Sequence, residues 1–255
     1  MCRMKKQITR ILTALLALSL VFALCACGAA EPEADPSSSD GDGVMTHAEY
    51  DAADLDSGVT VETYVQAKQA WADGKATLYT QAEDGAYFVY QVSCTEEEFD
   101  SLTPGTKIRV SGTKSEWTGE TEIINATLEV LEGNYIPEPL DVTEMLGADE
   151  LAAHQNELVA FKGMTDEPQT DAAGKEVAFL YNWDGSGAEG NDLYFDVSLN
   201  GEKYTFTVRA NLCGADSDVY KAVKALKVGD VIDMEGFLYW YDGPNPHIIS
   251  VVPAE

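Results

Sequence analysis

The chain has 255 residues and a formal net charge of −28, from 16 Lys+Arg against 44 Asp+Glu. A field of that sign keeps a protein soluble and repels polyanions, which argues against a groove tracking duplex DNA or phosphate, since such a groove needs clustered Lys and Arg. Acidic ligands are disfavoured with it; neutral and cationic ones stay open.

The N-terminal segment carries Arg3, Lys5, Lys6 and Arg10, then an apolar run from Ile11 to Ala26. A basic start, an apolar middle and a small residue before a cleavage point describe a secretory signal. The run is shorter than the ~20 residues that span a bilayer, which disfavours a permanent transmembrane helix. Leu24-Cys25-Ala26-Cys27 resembles the lipobox of bacterial lipoproteins. The resemblance implies that residues 1–26 are removed and that Cys27 becomes a lipidated N-terminus. The protein would then sit on the extracytoplasmic face of the cell membrane, held stably by more than one acyl chain. The alternative is a cysteine that falls by chance in an ordinary signal peptide. Residues 1–26 hold four bases and no acids, so their loss takes the formal charge from −28 to −32.

After Cys27 the stretch GAAEPEADPSSSDGDG has no large apolar side chain. Such a composition cannot bury enough surface to fold, so 27–43 reads as a disordered acidic tether. The rest suits two domains of about 100 residues each. These are 44–133 and 140–255, joined by a linker at 134–139 that contains Pro137 and Pro139. An internal repeat supports the division. Leu102-x-x-Gly105-x-x-Ile108-x-x-x-Gly112, with Gly119 beyond it, recurs as Leu226-x-x-Gly229-x-x-Ile232-x-x-x-Gly236 with Gly243.

Each region opens with a short helical pattern. Thr46 with Glu49 is a capping-box match, and Thr143 to His154 takes the corresponding place in the second region. Strand periodicity follows: Val59 to Ala67, Ala76 to Thr80 and Ala86 to Val92 alternate apolar with polar residues. A helix beginning at Thr95, with Glu98 completing its capping box, precedes strands at Ile108–Val110 and Ile124–Val130. Three strands, a helix and two strands is the order of the five-stranded OB-fold barrel. The second region reads alike with longer inserts. Its strand one is Leu158 to Met164 and its strand two is Val177 to Trp183. Strand three is split, Leu193 to Leu199 and Tyr204 to Val208, around Asn200-Gly201. A helix from Asp216 to Leu226, then strands Val231 to Tyr241 and His247 to Val252, complete it. The fold class is therefore mainly β: two tandem OB-fold-like five-stranded barrels, each with short helices. A β-sandwich is the alternative.

LYTQAEDGAYFVYQV (78–92) and LTPGTKIRVSGTKSEWTGETEII (102–124) resemble the OB-fold domains of secreted bacterial proteins. Some of those accompany extracellular nuclease domains, and others form small lipoproteins of unassigned function. No nuclease domain is expected here.

Catalytic signals are sparse. His154 and His247 belong to no Gly-x-Ser-x-Gly or His-Glu-x-x-His signature, and no phosphate loop occurs. The chain is expected not to be an enzyme, and no cofactor or metal is expected. With so many acids, a glycosidase-like carboxylate pair stays open as an alternative. Asp184 to Asp192 is glycine-rich and acidic and could wrap Ca²⁺, but it lacks the EF-hand order and reads as a loop. Cys94 and Cys213 lie in different regions and read as buried thiols, a disulfide being the alternative.

Aromatic placement is the sharper hint. OB-folds bind along strands two and three and between the loops joining strands one to two and four to five. Trp71 and Trp117 fall in those loops, and alternation places Tyr79 and Tyr87 on the outward phase of strands two and three. In the second region, Tyr181 and Trp183, and then Tyr239, Trp240 and Tyr241, lie in two near-copies of one aromatic motif. These nine residues are the candidate ligand-binding set; packing as lids on small barrels is the competing reading. The expected function is a non-catalytic, membrane-anchored surface lipoprotein whose barrels bind an oligosaccharide or a protein. A single-stranded nucleic-acid-binding module and a cryptic hydrolase are the alternatives.

Overall fold

The structure is a computed structural model, and it describes residues 43–254. Cys27 and the tether before residue 43 lie outside the described residues.

Helix α1 (His47–Ala52) starts where local chemistry says it should: the Thr46 hydroxyl accepts from the Glu49 N–H, and the Glu49 carboxylate accepts from the Thr46 N–H at 2.8 Å. Strands β1 (Gly58–Lys68), β2 (Lys75–Ala82) and β3 (Gly85–Ser93) follow, then α2 (Glu96–Ser101), β4 (Thr106–Trp117) and β5 (Glu120–Asn134). Helix α2 repeats the reciprocal cap with Thr95 and Glu98. The five strands form a closed barrel in the order β1-β2-β3-β5-β4, with β3 and β5 parallel and the other pairs antiparallel. Alternation along β1 sends Val59, Val61, Thr63 and Val65 inside, where they meet Leu78, Val89, Ile108, Val110 and Ile123. Closure removes the free strand edges that an open sheet this small would expose.

The second half begins with β6 (Leu140–Asp141) and two 3-10 helices, Thr143–Met145 and Asp149–His154. The predicted single helix over 143–154 is broken at Gly147, which adopts φ 83°. Then come β7 (Leu158–Glu167), β8 (Gln169–Thr170), β9 (Glu176–Val177), β10 (Leu180–Tyr181), β11 (Leu193–Leu199) and β12 (Glu202–Val208). Helices α3 (Ala210–Cys213) and α4 (Asp218–Ala225) precede β13 (Val231–Phe237) and β14 (His247–Pro253). The sheet order is β10-β11-β12-β14-β13-β7-β6, and β11 also pairs with β7.

Two expectations are corrected here. The segment 177–183 is not the second strand, and 193–208 is not one split strand. Asn200 and Gly201 both adopt positive φ, 53° and 89°, which makes a two-residue hairpin between two complete strands. Leu193, Phe195 and Val197 of β11 are fully buried, so this strand, rather than the glycine-interrupted 176–192, has the apolar face to lie against β7. The predicted strand over 231–241 ends at Phe237. Cys94 and Cys213 are both free thiols, the first buried and the second half-buried.

Candidate ligand-binding surface

The two halves meet along β2 and β3 of the barrel, the face on which the sequence places a ligand. Strand β2 is buried continuously from Ala76 to Gln81, because one side faces the barrel interior and the other faces the second half. Tyr79 stacks on Phe237 at 4.7 Å and meets Phe88 at 5.2 Å. Its hydroxyl lies 2.7 Å from His247 Nδ1 and accepts from Gln69 Nε2 at 3.0 Å. Tyr239 stacks on the buried His247 ring at 4.2 Å. Burial, with the Arg209 charge nearby, holds the His247 imidazole well below its ordinary pKa. Tyr79 and Tyr239 are therefore seam residues. Tyr87 is likewise internal: α1 covers it, with Tyr50 edge-on at 5.0 Å and His47 at 5.2 Å. Tyr79 lies on the outward face as expected but is covered by the second half, which alternation cannot foresee. The outward placement of Tyr87 is corrected: it pairs with Thr80, on the face opposite the Tyr79–Phe88 pair, and packs in the barrel core.

Past the seam, the turn between β4 and β5 is gripped by the second half. Thr118 and Gly119 both adopt positive φ, 55° and 87°, closing a hairpin in which Trp117 pairs with Glu120. A Cβ on Gly119 would lie 2.8 Å from Trp240 Cδ1, so only glycine lets the Trp240 ring pack there. The Trp240 N–H donates to Glu120 Oε2 at 2.8 Å, and the Asp242 N–H donates to the Thr118 carbonyl at 2.9 Å. Gln155 brackets the same turn: its amide donates to the Gly119 carbonyl at 2.8 Å, and its carbonyl accepts from the Thr121 N–H at 3.1 Å.

These contacts bring two chain tips together and leave two rings in solvent. Trp117 is 61% exposed and Tyr241 is 56% exposed, each next in sequence to a partner of the Asp242–Thr118 hydrogen bond. Trp183 is 76% exposed, in the loop rimming a shallow polar cleft of about 410 Å³ lined by Asn182, Asn191, Asp192, Arg209 and Asn211. That glycine-rich loop is internally bonded, with Ser186 N–H on Asp184 Oδ1 and Ala188 N–H on Asn191 Oδ1. The remaining candidates are packed. Trp71 lids the barrel, its indole N–H on the Cys94 carbonyl at 3.2 Å. Tyr181 meets Phe179 edge-on at 5.3 Å against the second core.

Sequence reasoning missed Glu120. It is fully buried at the seam, and burial, reinforced by Glu122, pushes its carboxyl up to about 8 despite the Trp240 N–H and Asn156. A glutamate directly after a hairpin turn reads as solvated; only the grip of the second half encloses it.

No family model matches the chain, and no curated protein matches it. Among solved structures it is similar to a murine DNA-binding protein bound to double-stranded DNA, with TM-score 0.35 and 11% identity over 77% of this chain and 96% of that one. It is also similar to a HINa domain in complex with double-stranded DNA, with TM-score 0.33 and 13% identity over 76% and 92% of the respective chains. Scores this low carry no argument about function.

Lys107 and Arg109 pair with Glu62, Lys162 with Asp233, Lys203 with Asp196, Arg209 with Asp192 and Lys224 with Glu189. Among the described residues, no group of three His, Cys, Asp or Glu side chains is placed to hold a metal ion, and no helix is long and apolar enough to cross a membrane.

Proposed function

We propose that this chain is a non-catalytic surface lipoprotein, anchored through Cys27, whose two OB-fold-like halves jointly present an aromatic tip to a neutral glycan or a peptide segment. The observation that carries the reading is the Asp242–Thr118 hydrogen bond, which joins tips of the two halves at residues next in sequence to exposed Trp117 and Tyr241. Exposed rings on a hydrogen-bonded scaffold suit stacking on sugar rings or on apolar side chains, at little entropic cost.

The tandem-barrel reading is supported by pairings in the second half that run β7-β11-β12-β14-β13 and return to β7, with β12 and β14 parallel as β3 and β5 are. It is supported also by the repeat glycines: Gly105 and Gly229 adopt φ 89° and 91°, and Gly112 and Gly236 both lie at register shifts. The ion-paired cations favour a neutral ligand over single-stranded nucleic acid, which needs an unpaired basic track.

A glycan and peptide array read beside a single-stranded DNA titration tests the function. Binding of a neutral oligosaccharide or peptide is expected, lost by about 1–3 kcal/mol in Trp117→Ala and Tyr241→Ala, the range for losing one stacking ring. Tight DNA binding that weakens steeply with salt would replace this reading with the nucleic-acid one. Unchanged binding in both variants would remove the tip from the site.

A further inference from the structure

A cavity of about 220 Å³ opens beside α1, lined chiefly by His47, Tyr50, Asp51, Thr121, Gln155 and Asn156. Both halves build it, since Gln155 and Asn156 come from the second. One wall is aromatic and acidic. The His47 and Tyr50 rings both pack on Tyr87, and the Asp51 carboxylate lies 3.4 Å from His47 Nδ1. Glu120, Asp51 and Glu122 all act on the Tyr50 hydroxyl, strengthening its hold on its proton beyond the effect of burial.

Polar groups behind this wall lack hydrogen-bond partners. Asn156 is 5% exposed and its Oδ1 finds no hydrogen-bond partner. Tyr50 is 2% exposed and its hydroxyl is unpartnered as well. Lys114 supplies nothing, because its ammonium already donates to the carbonyls of Tyr50, Asp51 and Ala53 at 2.9, 2.8 and 3.0 Å. An ammonium has three protons, so that set is complete.

We infer that this cavity binds a small aliphatic ammonium, held between the two halves by Tyr50, Asp51 and Asn156. An ammonium brings donors and no acceptor, which suits the unpartnered Asn156 amide oxygen and the Asp51 carboxylate. Its charge is met by Asp51 and by the face of the Tyr50 ring. An anion would meet the Asp51 carboxylate instead. The acidic surface as a whole concentrates cations at the mouth.

Calorimetric titration of the full-length chain with putrescine tests the site. Saturable one-to-one binding with a Kd of about 1 mM or tighter is expected. Tyr50→Phe removes one hydroxyl and Asp51→Asn removes one exposed charge; each should weaken binding by about ten-fold or more, with the thermal midpoint of the amine-free protein unchanged. Trp117→Ala should leave putrescine binding intact, so a failure here is separable from a failure at the aromatic tip. A parallel arm with Nα-acetyl-lysine amide assigns the source, a free amine if putrescine binds tighter and a protein side chain if the lysine derivative does; either result keeps the ammonium site. Absence of saturable binding by both probes, or wild-type affinity in both variants, overturns it.

Discussion

The Tyr79 hydroxyl and His247 Nδ1 lie 2.7 Å apart although 168 residues separate them along the chain. The bond sits in a seam where Phe88 and Phe237 are also buried, so each half covers an apolar face of the other. Tyr79→Phe keeps the ring and leaves His247 Nδ1 without its partner. A loss of about 1–3 kcal/mol is expected, the cost of orphaning a buried polar group. Equilibrium denaturation in urea measures it.

His247 sets an acid limb to stability. Its folded pKa is depressed by burial, while the unfolded chain keeps the ordinary value of 6.5. Between the two, the unfolded state binds a proton that the folded state refuses, so stability is full above about pH 6.5 and falls as pH drops below it. His247→Gln should flatten that limb relative to wild type, read as the urea midpoint at pH 7.5 and at pH 5.

Glu120 acts in the opposite direction. Its carboxyl is raised from 4.5 to about 8, so the folded state keeps a proton that the unfolded chain has released across that window. Stability therefore falls as pH rises from about 4.5 to 8. Glu120→Gln retains the shape and offers an N–H toward Asn156 Oδ1. It should be more stable than wild type at pH 8, by a few kcal/mol at most, and nearly equal at pH 4.5. Asp166 adds to the same trend, because burial and then Asp230, Asp196 and Glu167 raise it to about 7. Only the double variant with Asp166→Asn should lose most of the slope.

Gly119→Ala should loosen the joined tips. It forces a side chain into φ 87° and pushes a Cβ to 2.8 Å from Trp240 Cδ1. The backbone strain costs about 1–2 kcal/mol, and the Trp240 ring must move as well. A lower thermal midpoint with a red-shifted tryptophan emission is expected. Gly236→Val should cost about 3 kcal/mol or more, since the new Cβ would collide with the His247 carbonyl, which is backbone and cannot rotate away.

Separating the halves tests the seam as a whole. As domains, 44–133 and 140–255 would each fold alone. Tyr79, Phe88 and Phe237 would then face water, and buried aromatic area of that kind is a main source of stability. The isolated 44–133 barrel is expected to melt below the whole chain and to self-associate. Equal midpoints for the separated and joined halves would make the seam energetically neutral.

Much of the first barrel was legible because its signals are local. The reciprocal caps at Thr46–Glu49 and Thr95–Glu98 need only residues three apart, and the alternation of β1 needs only one buried face. The second half was less legible. Whether 177–183 or 193–199 lies beside β7 depends on which segment can present Leu193, Phe195 and Val197 to a distant strand, and that competition has no local signature.

The aromatic set shows where sequence runs out. Trp117 lies two residues before Gly119 and Trp240 three before Gly243, and composition treats them alike. Only the tertiary structure decides that Trp240 finds the bare backbone of Gly119 and packs, while Trp117 finds nothing and stays in solvent. The same holds for Tyr79 and Glu120. Apolar periodicity and capping, which arise within one segment, were determined by the sequence read alone. Exposure and protonation were decided by which second surface arrives to exclude water, and that is a property of the assembled fold.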